Sequence, residues 1–425
     1  MRDDMTKRAE QPKVTGRGAA VYRALTAVAG AVLRPVALVS GRDFAERMAL
    51  AGPVASGGIW IHGASVGELT SAQVLIEDLA RDFPVLVTAN SLTGRALAQS
   101  WGLTARLAPL DVPGAVARFL DEARPRLALT IENEIWPNRA SALRARGVAQ
   151  VVIGARMSAR SAARWGKRPG LIGPVLAGID LLSAQDGATE ERLLALGLRL
   201  EACAPRLNLK LLAPARIKPG APGPSRAVTL LVASTHEGEE EPILDAYLAA
   251  RAARPDLRLI LAPRHPVRGD AVAALMAARG LRFARRSQGA GLEAEVLLAD
   301  TLGEMPLWYD AAQICLTGGS FVEKGGHTPW EPAAHRCAVL HGPHVANFAQ
   351  DYALLDAEGA SRAVTAEGLW AVLLDLISNP DEARRMGVSA HDILMREAGD
   401  PAPLLHQIRG LVADSLAQRR GNSDI

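Results

Sequence analysis

The sequence predicts an α/β protein of two Rossmann-like βα domains facing each other across a cleft. Three observations lead there. From residue 58 onward, short apolar runs alternate with longer amphipathic ones; the alternation breaks at a proline- and glycine-rich stretch over 213–226; it then restarts. Strands alternating with helices imply βαβ crossovers and a mostly parallel sheet, whose ligand sites lie beyond the carboxyl ends of the strands.

In chain order, residues 58–62 (GIWIH) read as a buried strand, and 66–83 as a helix, with Leu69, Val74, Leu75, Leu79 and Phe83 near helical spacing. Residues 85–89 (VLVTA) form the next strand, 93–99 begin another helix, and 127–131 (LALTI), 148–154 and 181–184 continue the strands. The segment APARIKPGAPGPSR at 213–226 cannot continue a helix or a central strand, and reads as a linker. Strands are then expected at 228–233, 257–262, 295–299, 314–317 and 338–341. The expected organisation is an N-terminal segment 1–48, a first domain 49–212, the linker 213–226 and a second domain 227–425.

The chain has 425 residues, room for two or three domains at about 150 each. Hydrophobic residues at 49% and charged residues at 22% exclude a disordered chain, a collagen and a coiled coil. Cys203, Cys315 and Cys337 are odd in number and far apart, so neither a disulfide framework nor a zinc site is expected. The formal net charge of +3 is concentrated at one end. Residues 1–48 hold nine Lys/Arg (Arg2, Lys7, Arg8, Lys13, Arg17, Arg23, Arg34, Arg42, Arg47) against five acids, leaving 39 against 40 elsewhere. This excess flanks an apolar stretch, 24–33, shorter than the roughly 20 residues that cross a bilayer. Three readings stay open: a solvated tail before an ordinary helix, an amphipathic segment on an anionic membrane surface, or a signal peptide with a poor cleavage region at Arg34-Pro35. No nucleic-acid partner is expected.

Five segments that carry chemistry follow predicted strands. In Gly63-Ala64-Ser65-Val66-Gly67-Glu68, Ser65 and Glu68 have capping-box spacing; Glu68 is either a cap or a general base at the sheet edge. Glu132-Asn133-Glu134-Ile135-Trp136-Pro137-Asn138 sets two carboxylates on an apolar strand end, unless it is a loop in which Asn138 caps a helix. In Thr235-His236-Glu237-Gly238-Glu239-Glu240-Glu241, the acids suit a first helical turn, and the spacing is not that of H-E-x-x-H zinc sites. Pro263-Arg264-His265-Pro266 is either a surface turn or a rigid turn presenting arginine to a phosphate or a pyrimidine. The segment from Gly318 to Pro332 (GGSFVEKGGHTPWEP) has two Gly-Gly pairs that would admit a ligand to the backbone. Its helix start near Pro329 suits an anion, and Glu331 suits a ribose diol. A nucleotide site in one domain facing a lone base in the other is the layout of a two-domain glycosyltransferase.

These residues resemble a known family. IWIHGASVGE, TIENEIWPN, GARMSARS, NLK at 208–210, STHEGEE, PRHP, LGEM at 302–305, GGSFVEKGGHTPWEPAA and GPHVANF stand in the order found in the 3-deoxy-D-manno-octulosonic acid (Kdo) transferases of Gram-negative bacteria. The resemblance implies a GT-B fold and transfer of Kdo from CMP-Kdo to a lipid A precursor, with inversion and no metal or cofactor. It implies an enzyme on the cytoplasmic face of the inner membrane, held peripherally or monotopically through its N-terminal segment. It makes Glu68 the proton acceptor, and Lys210 with one of Glu132 and Glu134, Glu132 being favoured, the transition-state stabilisers. CMP would meet Pro263 and Arg264, then Gly303, Glu304 and Met305, then Thr328, Pro329, Trp330 and Glu331. Thr328 stands where the family usually has Asn, Trp330 where it has Leu, and Leu207-Asn208-Leu209-Lys210-Leu211-Leu212 where it reads GNLKFD. Rival readings are another GT-B enzyme, such as a nucleotide-sugar epimerase, and a lipid- or nucleotide-binding protein without turnover.

Overall fold

A computed structural model describes residues 17–52, 57–132 and 134–421, with the side chains of 17 and 416–421 left out. Arg2, Lys7, Arg8, Lys13 and Asn133 fall outside these residues. The chain divides into two compact units: Met1–Leu212 together with Ala398–Ile425, and Ala213–Glu397.

Among the described residues of the first unit, six strands form one sheet: β1 (Ile59–His62), β2 (Val85–Ala89), β3 (Thr104–Leu107), β4 (Leu127–Ile131), β5 (Ala149–Ala155) and β6 (Leu181–Ala184). They run parallel in the order β3-β2-β1-β4-β5-β6. Helices cover both faces of such a sheet, which is why β1 and β2 are apolar runs buried at every position rather than alternating. The helix Val66–Asp82 buries Leu69, Ala72, Leu75, Ile76 and Leu79.

The second unit's sheet has β7 (Thr229–Thr235), β8 (Arg258–Pro263), β9 (Ala284–Arg285), β10 (Val296–Leu298), β11 (Ile314–Thr317), β12 (Ala338–His341) and β13 (Ser361–Ala363). Its order is β13-β12-β11-β7-β8-β10-β9, again parallel. Each order reverses direction once, between β1 and β4 in the first sheet and between β7 and β11 in the second. Loops leaving neighbouring strands part at such a point and open a crevice, so each reversal marks the place for a ligand.

Several expectations change. Strands β3, β9 and β13 are additional; they are short, and Thr104 of β3 is exposed. The helix Leu209–Ala215 runs three residues into the proposed linker and ends one residue past Pro214; its Leu209, Leu211 and Leu212 are buried. The linker's last residue, Arg226, is buried, and its guanidinium donates to the carbonyls of Tyr309, Asp310, His335 and Arg336.

The second unit also ends earlier than 425. From Ala398 the chain rejoins the first unit, where the helix Ala402–Gly421 packs Leu404, Leu405, Ile408 and Val412 into the core beside Leu207, Leu209 and Leu212. Burying each of these side chains contributes about 1.5–3 kcal/mol. Arg409 adds ion pairs to Asp78 (2.7 Å) and Asp82 (2.8 Å).

The N-terminal apolar stretch is longer than its core of ten. A helix spans Arg17–Val39, and its Gly18–Val39 portion is long and apolar enough to cross a membrane by length and composition. One face, with Tyr22, Thr26, Gly30, Leu33 and Ala37, turns inward. Tyr22 donates to Asp111 Oδ2 (3.1 Å), and Asn138 Nδ2 donates to Thr26 Oγ1 (2.8 Å). The other face leaves Val21, Leu25, Val28, Val32, Val36 and Val39 exposed at helical spacing.

Candidate active site

In the first unit, the loops after β1 and β4 bring three carboxylates to the reversal point. Glu68 lies in the first turn of Val66–Asp82, capped by Ser65, whose Oγ accepts from the Glu68 N–H (3.3 Å). The Glu68 carboxylate accepts from Ala64 N–H (2.6 Å) and Ser65 Oγ (3.2 Å). The cap and the sheet-edge base are thus one residue. Burial raises the pKa of Glu68 and the nearby charges of Glu132 and Glu134 add to this, while the Ala64 N–H opposes it. A raised carboxylate is a better proton acceptor near neutral pH.

Glu132 and Glu134 differ in a way the sequence hides. Glu132 closes β4 in the left-handed region, at φ 57°. That conformation costs a non-glycine residue roughly 1–2 kcal/mol and is characteristically kept at functional turns. Its half-buried carboxylate lies 4.0 Å from Arg156. Glu134 is enclosed: its Oε2 accepts from the Trp136 indole and from Asn90 Nδ2 (3.4 Å), and its carbonyl accepts from Arg139 (2.8 Å). Burial would raise Glu134, yet it stays below the ordinary carboxylate range. His62, fully buried and 3.5 Å away, is pushed to about 4 chiefly by burial and so is neutral at neutral pH. In the acid range where Glu134 titrates, His62 lowers it most, and the Trp136 indole and the Arg139 charge add to this. Asn138 is not a cap: the helix Pro137–Ala145 starts one residue earlier, and buried Asn138 donates to Asp111 O (2.6 Å).

Lys210 is exposed in the first turn of Leu209–Ala215, while Leu207, Leu209, Leu211 and Leu212 are buried. Leu209 seats on the end of β5, where a Cβ on Gly154 would come within 2.4 Å of it. The altered residues around Lys210 thus point into the core and leave the lysine outside.

In the second unit, the segments after β8, β10 and β11 carry the expected nucleotide residues. Pro263 ends β8, and exposed Arg264 is held by its N–H donating to Thr235 O (2.9 Å). Gly303 adopts φ 83° ahead of the helix Met305–Ala311. The Glu304 carboxylate is engaged by Arg286 Nη2 (2.6 Å) and by Thr301, so its backbone is what remains to offer a ligand. Thr328 Oγ1 accepts from Trp330 N–H (3.3 Å), Trp330 is buried, and exposed Glu331 accepts from Tyr309 OH (3.2 Å).

Two expectations for the glycine-rich segment are corrected. The helix after it, Trp330–Ala334, is five residues long, too short for a substantial helix dipole. The N–H groups of Gly319 (2.7 Å) and Phe321 (3.3 Å) donate to buried Glu239, which also accepts from His236 N–H (2.7 Å). The first glycine pair instead permits close packing, since a Cβ on Gly318 would sit 2.4 Å from Ser234 O.

Sequence reasoning missed a basic cluster here. His236 Nε2 lies 3.0 Å from His327 Nε2, His265 stands nearby, and Arg264 and Lys324 add charge. Each histidine lay in a segment that stood out for other reasons; only the adjacency of β11, β7 and β8 brings them together. Among the described residues, no three of His, Cys, Asp and Glu gather as a metal centre would need.

Two parallel-sheet units, one with carboxylates and one with basic side chains at its reversal point, have the layout of a two-domain glycosyltransferase. The comparisons with known proteins narrow it. The family model described as 3-Deoxy-D-manno-octulosonic-acid transferase (kdotransferase) matches residues 42–213. The chain is 36% identical to the 3-deoxy-D-manno-octulosonic acid transferase of Bordetella pertussis, covering 80% of this chain and 84% of that one. It is 33% identical to that of Haemophilus influenzae, covering 83% and 86%. The chain belongs to the family of 3-deoxy-D-manno-octulosonic acid transferases. Among solved structures, the C-terminal CMP-Kdo binding domain of WaaA from Acinetobacter baumannii is 32% identical, over 41% of this chain and 91% of that one, with a TM-score of 0.39. A putative UDP-N-acetylglucosamine 2-epimerase from Listeria monocytogenes is 12% identical, over 85% and 96%, with a TM-score of 0.49.

Proposed function

We propose that this glycosyltransferase moves Kdo from CMP-Kdo to a lipid A precursor in lipopolysaccharide biosynthesis, with inversion and without a metal. Glu68 takes the proton of the acceptor hydroxyl as that oxygen attacks the anomeric carbon. The bond to the phosphate oxygen breaks with its electron pair on the phosphate. Glu132, the acid in the left-handed turn, and Lys210 stabilise charge at the reacting centre. Pro263, Arg264, Gly303 to Met305 and Thr328 to Glu331 hold CMP. The observation that carries this reading is the division of chemistry within a chain of this family: carboxylates collect at one switch point, cations at the other.

The enzyme acts at the cytoplasmic face of the inner membrane. The exposed apolar stripe of Arg17–Val39 supports this, as does the run from 156 to 179, which has five basic residues and no acid. Of these, Arg160, Arg164, Lys167 and Arg168 are exposed on or beside the helices Ala159–Gly166 and Pro169–Leu176. The latter helix meets the N-terminal one where Gly18 faces Gly170. An apolar stripe beside basic side chains suits an anionic lipid surface.

The test is purified protein with CMP-Kdo and lipid IVA, read by mass spectrometry in excess EDTA. Kdo added to the lipid is expected, and the mass gives the number of units. An epimerase would convert a soluble sugar nucleotide and leave the lipid unchanged, and a binding protein would change neither. Activity lost in EDTA and restored by Mg²⁺ would overturn the metal-free part.

A further inference from the structure

The residues just past β7, β8 and β11 include His236, His265 and His327, and these strands are neighbours. His236 and His327 stack with ring centroids 5.2 Å apart and 12° between planes, and His265 meets His236 edge-on at 6.1 Å. At 3.0 Å between Nε2 atoms, one neutral ring donates its N–H to the other's lone pair. A further proton breaks that bond and frees both N–H groups for a common acceptor.

The backbone that carries each ring is fixed from behind. His236 N–H donates to Glu239 (2.7 Å), and His327 O accepts from Tyr352 OH (2.8 Å), itself buried and bonded to Thr317 (2.7 Å). The charged groups facing the pair are Arg264, His265 and Lys324 on the positive side and Glu240 on the negative, the last already bound by Arg268. Buried Glu239 lies beneath, its carboxylate occupied by backbone N–H groups. Burial comes first for both; His236 and then Arg264 add to it at His327, which is pushed to about 4, and His265, Lys324 and Arg264 add to it at His236, which is lowered as well. An anion placed against these cations reverses that balance.

We propose that His236 and His327 form a phosphate-responsive imidazole pair, which takes a proton from solvent when the phosphate of a CMP donor binds and holds positive charge against the leaving phosphate during transfer. This rests on the CMP-Kdo reading above. In the step itself, the anomeric carbon–oxygen bond breaks with its electron pair on the phosphate, turning a singly charged diester into a monoester that carries one more negative charge. The new bond forms from the acceptor oxygen, whose proton goes to Glu68. The imidazolium N–H donates to the phosphate oxygen, so the charge that develops there meets one already in place.

The test is calorimetry of CMP and of cytidine binding at pH 7 in two buffers of different ionisation enthalpy, on the wild type, His327→Gln and His236→Gln. The wild type is expected to take up about one more proton per CMP than either variant, since the bound phosphate favours the charged imidazole and neither variant keeps the pair that receives it. Each variant should lose roughly tenfold or more in CMP affinity, the scale of a charge-assisted hydrogen bond, and keep its cytidine affinity. Equal proton uptake in wild type and both variants overturns the pair while leaving the donor site standing. A wild type that binds no CMP overturns the donor reading, and the pair with it.

Discussion

The two units solve the same topological problem and fill it with opposite charge. Each is a parallel sheet that reverses strand order once, and each places a non-glycine residue in the left-handed region near the carboxyl end of a strand at that point, Glu132 (φ 57°) after β4 and Ser234 (φ 62°) in β7. At the first, burial and the nearby charges of Glu132 and Glu134 make Glu68 a better base. At the second, burial and neighbouring cations make histidines reluctant to charge. The contrast teaches that the scaffold sets where a site opens, while a few residues in the loops decide whether it removes protons or receives anions.

The largest expected effect tests whether the first switch point performs the proton transfer. Glu68→Gln keeps the size and much of the capping, so turnover should fall roughly 10²-fold or more with little change in melting temperature or CMP affinity. Near-normal turnover would leave Glu68 a cap and remove the contrast. At the second switch point, Arg264→Ala should weaken CMP binding by about 1.5–3 kcal/mol in calorimetry. Unchanged affinity in both Arg264→Ala and Glu331→Ala would place the nucleotide elsewhere.

A smaller effect sharpens the account of the first unit. His62 is buried with its pKa pushed from 6.5 to about 4, so between those values the unfolded chain binds more protons than the folded one. Stability from this group is full above pH 6.5 and is lost as pH falls toward 4, with a slope of at most about 1.4 kcal/mol per pH unit. Chemical denaturation of His62→Gln across that range should show a shallower loss than wild type; identical slopes would assign the acid sensitivity to other groups. The smallest effect concerns the surface. Co-sedimentation with anionic vesicles should weaken as salt rises, each basic residue contributing about 1 kcal/mol near such a surface. Leu25→Glu with Val32→Glu should reduce it further. These exposed positions suit the test better than deleting residues 1–40, because Tyr22 and Thr26 tie that helix to Asp111 and Asn138. Binding equal to wild type would move the lipid contact elsewhere.

Much of this was legible before any coordinates. Strands such as IWIH and LALTI are buried on both faces and so read as continuous apolar runs, and Glu68 and Arg264 follow such strands directly. Strands β9 and β13 were not legible, because two or three partly exposed residues leave no pattern. The difference between Glu132 and Glu134 depends on one left-handed turn and one indole, neither of which has a sequence signal. The histidine pair joins residues 91 apart in the chain, and it appears only once β11 is known to lie beside β7.

The return of the last helix to the first core means that the second unit is an insertion, a domain nested inside its host. Cutting the chain after residue 212 would not yield two halves. The upstream piece would lack Leu404, Leu405, Ile408 and Val412 from its core, and the downstream piece would carry those side chains with nothing to bury them. The natural excision is Ala213–Glu397, its two cut ends leaving the host to be rejoined by a short bridge from Leu212 to Ala398. A single gene boundary would thus divide the sequence without dividing the fold, and fragments meant to isolate either switch point should be drawn around the nested domain instead.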